Sequence, residues 1–164
     1  MQRYKYPYDR YNRFHVVKVN LPIAASVLFL SRHILTFLFL GIAFSRTHIA
    51  INDAFGGLFE PVYMLSDFPA LVVFLAMLAR HPNSGRPARI AWRLGPYLLL
   101  GSAVGYLALL GRQIGFGPGN FGWAAWVMVL GTAAAIAYIF LSPYARDVFR
   151  EFPDAALRDD AKRK

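Results

Sequence analysis

Arg32 and Asp67 are charged residues that interrupt long apolar stretches of the sequence. A charged side chain in hydrocarbon normally pairs or faces water, because its burial costs at least about 2.5–3.5 kcal/mol. Counted along helices that rise about 1.5 Å per residue, the two residues lie at compatible depths. We therefore predict an intramembrane ion pair between Arg32 and Asp67. Three roles remain open: a structural pair that fixes helix packing, an Arg32 that snorkels toward lipid phosphates, or part of an ion or proton pathway.

Histidine and cysteine chemistry is poorly supported by the sequence. His33 adjoins Arg32 but points about 100° away around a helix, so the two side chains cannot face one partner. Haem b in a helical bundle needs two axial ligands on facing helices. The other histidines lie outside the apolar stretches or at their ends: His15, His48 and His81. Cysteine is absent, which excludes disulfides and thiol catalysis.

The chain also lacks the short motifs of metal-dependent and serine hydrolases. No H-E-x-x-H or G-x-S-x-G pattern occurs in it. We expect no catalytic residue, no metal ligand and no cofactor, and therefore no enzyme.

Small residues recur at helical spacing in the last two apolar stretches. Gly101 and Gly105 form a small-xxx-small face in one of them, and Gly131 and Ala135 offer a matching smooth surface in the other. Such faces let two helices approach closely. We expect these two stretches to pack on each other, with self-association or docking to another subunit as the alternatives.

The elements that must hold these residues are apolar and long. Hydrophobic residues make up 57% of the 164 residues and charged residues 16%, whereas about a quarter of a soluble domain is charged. A stretch of about 20 apolar residues crosses a bilayer as one helix. The sequence predicts an all-α, four-span membrane domain over residues 1–153, a charged and disordered tail over residues 154–164, and spans at about residues 21–44, 61–79, 94–110 and 123–141.

The basic residues predict how the chain is threaded. Fifteen of the eighteen Lys and Arg residues lie in residues 1–20, 80–93 and 143–164. Lys and Arg concentrate in cytoplasmic loops, so both termini are expected to face the cytoplasm. The net charge of +9 is then explained by anionic lipid head groups and by topology. We expect no nucleic-acid partner, because a nucleic-acid site needs a basic face on a soluble surface.

The segment after the fourth span predicts a short amphipathic helix. Tyr144, Val148, Phe149 and Phe152 fall on one side of a helix, and charged residues occupy much of the remainder. Such a helix could lie on the inner membrane surface or dock a cytoplasmic partner.

Four strings of the sequence are distinctive together: Tyr8-Asp9-Arg10-Tyr11, Leu28-Phe29-Leu30-Ser31-Arg32, residues 89–93 around Trp92, and residues 142–153. With these strings the chain resembles one bacterial family, known as domain of unknown function 2919. The resemblance covers residues 8–153 and implies a small protein of the Gram-negative inner membrane. It brings no established activity and transfers no catalytic residues.

The short loops, the absence of ligand motifs and the close-packing face favour a non-catalytic role. We expect an accessory or assembly subunit of a larger membrane complex, with other membrane proteins and anionic lipids as partners. A small homo-oligomeric transporter or channel that uses Arg32 and Asp67 is the alternative. A membrane enzyme acting on lipid or quinone has no supporting residue cluster.

Overall fold

The structure, a computed structural model, describes residues 5–12, 14, 16–43, 61–114 and 122–153. Within these residues the chain is all-helical, as predicted, apart from an isolated bridge between Tyr11 and Val17. Single turns of 3-10 helix occur at Tyr8–Arg10 and Pro61–Tyr63. The α-helices are α1 Leu21–Leu30, α2 Arg32–Ala43, α3 Met64–Leu78, α4 Arg86–Arg93, α5 Gly95–Ile114, α6 Trp123–Leu141 and α7 Pro143–Arg150.

Local sequence explains where several helices begin and end. The side chain of Asn20 accepts a hydrogen bond from the Ile23 amide at 3.2 Å and so caps α1, whose second residue is Pro22. Ser142 serves two helices: its amide donates to Tyr138 at the end of α6, and its side chain accepts from the Ala145 amide at the start of α7. Pro143 cannot donate to the preceding turn, so the chain turns between α6 and α7.

Four helices form a closed ring around the core. α1 contacts α3 and α6, and α5 contacts the same two helices from the opposite side. α2 continues from α1 and packs on α3. The interior is filled by buried aliphatic side chains from all four helices of the ring, among them Val27, Val73, Leu99 and Ile139.

The helices differ in how well they match the length of a membrane span. Trp123–Leu141 is long and apolar enough to cross a membrane alone. Two bent pairs would each supply one more span: α1 with α2, bent by 74°, and α4 with α5, bent by 62°. α3 is apolar but has only 15 residues. By length and composition, the described residues thus contain one helix that could cross a membrane, or up to three such elements if each bent pair counts as one.

The predicted small-residue faces do not pack on each other. A Cβ on Gly105 would lie 3.4 Å from the Ser66 Cβ on α3, and one on Gly131 would lie 2.7 Å from the Phe29 ring on α1. Ala135 is buried in the core, whereas Gly101 has no neighbouring atom within 4 Å of its Cβ position. α5 and α6 are neighbours, as expected. However, Gly105 packs against Ser66 and Gly131 packs against Phe29, both from the first half of the chain.

The amphipathic segment forms α7, and its apolar side packs against protein. Ala145, Val148 and Phe149 are buried, with the Phe149 ring stacked on the Trp92 ring of α4 at 4.7 Å. This helix is therefore part of the folded core. The tail at residues 154–164 lies outside the described residues, as do residues 44–60 and 115–121.

Candidate functional site

The first predicted span is broken at Ser31. α1 ends there, α2 begins at Arg32, and the two axes meet at 74°. The Ser31 hydroxyl donates to the Val27 carbonyl at 2.8 Å, a back-bond that often bends helices. A break exposes amide groups at the start of one helix and carbonyls at the end of the other, and each needs a partner when it is buried.

Asp67 supplies the partner for the new amino-terminal end. Its Oδ2 accepts the backbone amides of His33 at 2.7 Å and Ile34 at 3.3 Å. The carboxylate, only 1% exposed, thus caps α2 from a different helix. Its negative charge also lies at the positive end of the α2 dipole, which favours it electrostatically.

Arg32 supplies a partner for the carboxyl-terminal end of α1. Its Nη1 donates to the Phe29 carbonyl at 2.8 Å, and Ser102 on α5 reaches the Leu30 carbonyl at 3.4 Å. The guanidinium lies over two rings, 4.4 Å from the Phe29 centroid and 4.2 Å from the Tyr106 centroid. Cations are favoured both over aromatic faces and at helix carboxyl ends.

Asp67 therefore has a different partner from the one expected from the sequence. The side chain that contacts this carboxylate is His33, whose Nδ1 lies 3.1 Å from Oδ1. Among the described residues, Arg32 and Asp67 form no ion pair with each other, because each charge stabilises its own end of the broken helix. Arg32 and His33 do not share Asp67, but both contact the Tyr106 ring, so the expectation that they cannot face one partner does not hold for that ring.

Aromatic rings surround the His33–Asp67 pair. The imidazole stacks on Tyr63 with centroids 5.3 Å apart and lies 5.3 Å from the Tyr106 centroid. His33, Tyr63 and Tyr106 are each at most 4% exposed. With an ionised carboxylate as acceptor, Nδ1 is the donor nitrogen of His33. The two tyrosine rings also lie 5.4 Å from each other, so the three rings form one compact cluster that holds that donor in place. We call Arg32, His33, Asp67, Tyr63 and Tyr106 the charged break.

The charged break can hold a charge or pass a proton between the carboxylate and the imidazole. A metal would need more ligands than this pair provides, and in the described part of the chain no three His, Cys, Asp or Glu side chains converge. His33 was the residue that sequence reasoning undervalued. The available signal was the polar triplet Ser31-Arg32-His33 inside an apolar stretch, since consecutive polar residues face all sides of a helix.

The three basic segments of the chain meet at one end of the helix ring. We call this assembly of residues 5–12, 14, 16–18, 80–93 and 143–152 the basic cap. Trp92 is fully buried at its centre and donates from Nε1 to the Val148 carbonyl at 2.8 Å. Arg80 lies 5.0 Å from the Trp92 ring and donates to the Val17 and Glu151 carbonyls, each at 2.9 Å. Burial lowers the pKa of the Arg80 guanidinium to about 10, against the opposing charge of Glu151.

The amino-terminal segment is fastened to α7 by side-chain contacts. Asp147 accepts from Lys5 Nζ at 2.6 Å and from the Tyr6 hydroxyl at 2.7 Å. Partial burial acts to raise the pKa of the Asp147 carboxyl, but these hydrogen bonds and nearby cations outweigh it and lower the pKa below its ordinary value. Glu151 accepts the Val17 amide at 2.9 Å. The cap is therefore held by contacts between the two ends of the chain.

The described residues combine an all-helical fold, one apolar helix long enough to cross a membrane, a charged break between α1 and α2, and a basic cap at one end. This combination is consistent with membrane association. The chain belongs to the family described as protein of unknown function DUF2919, whose model matches residues 6–151. This match confirms the resemblance drawn from the sequence. No curated protein and no solved structure matches the chain.

Proposed function

We propose that this chain is a four-span protein of the bacterial inner membrane that acts as a non-catalytic accessory or assembly subunit of a larger membrane complex. The observation that carries the proposal is the internal use of the buried charges. Asp67 is occupied by His33 and Ile34, and Arg32 by Phe29 and Tyr106. These contacts make the charged break a device that holds the fold, although Arg32 Nε, Arg32 Nη2 and the Tyr106 hydroxyl are buried without a hydrogen-bond partner among the described residues.

The membrane location is supported by the side chains that the helices expose. Outward positions carry large apolar residues that would be unfavourable in water. On α3 alone, five such residues are 43–72% exposed: Leu65, Phe68, Val72, Leu75 and Leu78. α5 and α6 add Leu100, Val104, Val127 and Leu130. Lipid chains are the natural solvent for such a surface.

The count of four rests on the ring of helices. α3 rises about 22 Å at 1.5 Å per residue, and the preceding turn at Pro61–Tyr63 lengthens it toward the hydrocarbon thickness of about 30 Å. It stands in the ring between α1 and α5, so it passes through the same layer as its neighbours. A short span is accommodated by local thinning of the bilayer.

The orientation follows from the basic cap. Three segments rich in Lys and Arg come together at one end of the ring, and such segments stay in the cytoplasm. Both chain ends approach this cap, since Lys5 contacts Asp147 and Val17 contacts Glu151. We therefore place both termini on the cytoplasmic side.

The subunit role is supported by the outward face of α5. Tyr97, Gly101, Val104 and Ala108 are exposed and recur at helical spacing, so they form one stripe. Gly101 makes a shallow notch in the middle of it, because nothing lies within 4 Å of its Cβ position. A helix of a partner protein could approach closely at this notch.

Native mass measurement after mild solubilisation tests this role. We expect the full-length protein to leave the membrane with a foreign subunit at fixed stoichiometry. Gly101→Leu should release that subunit while the protein stays folded, whereas Ala25→Leu, at an exposed small residue on α1, should retain it. A protein that is always a monomer contradicts the proposal.

The alternative is a small homo-oligomeric transporter or channel, and the helix break favours it specifically. Broken helices with charged groups at their ends form substrate and ion sites in many transporters. Here the break carries Asp67 and His33 instead of the Arg32–Asp67 pair. A closed homo-oligomer in the native mass spectrum, together with proteoliposome flux that Asp67→Asn abolishes, would favour this alternative over the subunit role.

A further inference from the structure

A cavity of about 290 Å³ opens where α5, α6 and α7 meet at the basic cap. Its volume lies near the lower end of the ~300–1,000 Å³ range of ligand pockets. Arg93, Arg146 and Arg150 line its polar side, and the remaining lining residues are apolar or aromatic: Pro96, Tyr97, Ile139, Phe140 and Phe149. The cavity therefore combines clustered positive charge with a hydrophobic wall.

We infer that this cavity binds the phosphate head group of an anionic phospholipid of the inner leaflet. The inference rests on the membrane orientation proposed above, but it adds a defined site and a ligand class to it. Basic pockets between helices on the cytoplasmic side are suited to such head groups. Arginine is also the side chain that best matches phosphate oxygens, through its planar fork of donors.

The local acids do not cancel the charge of the three arginines. Asp147, the acid on α7 between Arg146 and Arg150, is paired with Lys5 at 2.6 Å and bonded to Tyr6. Glu151 accepts the Val17 amide and lies close enough to Arg80 to raise its pKa. Arg150 also lowers the pKa of the Asp147 carboxyl and is therefore offset in part, but the hydrogen bonds of both carboxylates are to groups other than the arginines of the cavity.

The cavity also lies at the depth that a phospholipid requires. It is formed by the first residues of α5 and the last residues of α6, where both helices reach the cap. Tyr97 is 67% exposed at its edge, and Leu100, which lies outside the stripe proposed for a partner helix, continues the apolar surface along α5 away from the cap. A phosphate held by the arginines would therefore leave its acyl chains lying along this surface.

Besides lining the cavity, Arg146 has a structural role. Arg146 Nη2 donates to the Phe140 carbonyl at 2.9 Å near the end of α6, which fixes its guanidinium at the cavity wall. Arg93 and Arg150 are exposed, so their replacement should leave the fold intact. They are the residues of choice for a test.

The test places the full chain in bilayers of phosphatidylcholine and phosphatidylglycerol and counts the lipids that remain bound in native mass spectra. We expect wild-type protein to retain phosphatidylglycerol in preference to phosphatidylcholine. R93Q/R150Q should weaken that preference by about fivefold for each charge removed. R86Q/R112Q removes the same charge at exposed positions away from the cavity and should leave it unchanged.

Several results would overturn the site while leaving the proposed function intact. These are equal retention of the two lipids, an equal loss in both double variants, or displacement of the lipid by inorganic phosphate at equal concentration, which would identify a free anion as the ligand. A photoactivatable phosphatidylglycerol gives a second readout on wild-type protein. Cross-links should map to Tyr97 or Phe140, and cross-links confined to other helices contradict the site.

Discussion

Asp67 is joined to His33 twice, since its carboxylate accepts the backbone amide of His33 at 2.7 Å and lies 3.1 Å from the imidazole Nδ1. One side chain on α3 thereby caps the start of α2 and orients a buried ring. This relationship makes a sharp bend in the first apolar segment compatible with burial, because the exposed amides at the break have an acceptor.

Two replacements of Asp67 should therefore destabilise the fold to different degrees. Asp67→Ala removes both acceptors and should lower the free energy of unfolding by about 3–5 kcal/mol, the range for breaking a buried pair. Asp67→Asn keeps one oxygen for the amides and should cost about 1–2 kcal/mol, as expected for the loss of charge at a cap. Unfolding in detergent, followed by circular dichroism, provides the comparison. An Asp67→Ala variant as stable as wild type would show that the cap is dispensable.

The fit of Phe29 against Gly131 gives a second prediction. A Cβ on Gly131 would lie 2.7 Å from the ring, which is closer than real contacts, whereas the Cβ position of Gly101 is open. Gly131→Val should lower the free energy of unfolding by at least about 1–3 kcal/mol through overpacking. Gly101→Val is the matched control, and its free energy of unfolding should equal that of the wild type to within about 0.5 kcal/mol. Equal effects of the two substitutions would contradict the close approach of α6 to α1.

Trp92 should be the most sensitive aromatic residue of the basic cap. Trp92→Phe removes the Nε1 donor to the Val148 carbonyl, leaving that oxygen with Arg80 at 3.4 Å. We expect the free energy of unfolding to fall by about 1–3 kcal/mol, as for a buried group that loses its partner. Trp123→Phe changes a 72% exposed indole and should have little effect. The reverse order in a denaturant titration would argue against the cap as described.

The contact between Lys5 and Asp147 predicts a specific pH dependence. The pKa of Asp147 is lowered in the folded protein, so its contribution to stability is complete above its unfolded value of about 3.9 and is lost as the pH falls through the folded value. The stability difference between wild type and Asp147→Asn should be constant near neutral pH and shrink below about pH 4. Unfolding midpoints across that range measure it, and a difference that persists in acid would mean that Asp147 does not act through its charge.

The sequence predicted the elements better than the site. Apolar length locates most of the helices, because this signal is local. The break at Ser31 was missed, since its stability depends on Asp67 and Ser102 from distant helices. The partner of Asp67 was misassigned for the same reason. Depth along a straight helix cannot distinguish Arg32 from His33 as that partner, and the chain bends by 74° just before these two residues.

The small residues illustrate the same limit. Gly131 and Gly105 were singled out as positions of close helix approach, but sequence spacing does not show which neighbour approaches. Phe29 and Ser66 occupy those positions in the structure. The amphipathic pattern of α7 likewise predicted a helix on the membrane surface or docked to a partner, without showing that Trp92 of the same chain packs against it.

The central claim is that the helix ring crosses the membrane with its basic cap in the cytoplasm. Because the natural chain has no cysteine, single cysteines report their own location without a background. Asn83→Cys, exposed beside the cap, should resist a membrane-impermeant maleimide in intact spheroplasts and react in inverted vesicles. Gly122→Cys, exposed at the other end of α6, should do the opposite. Labelling of both cysteines from the same side would contradict the account.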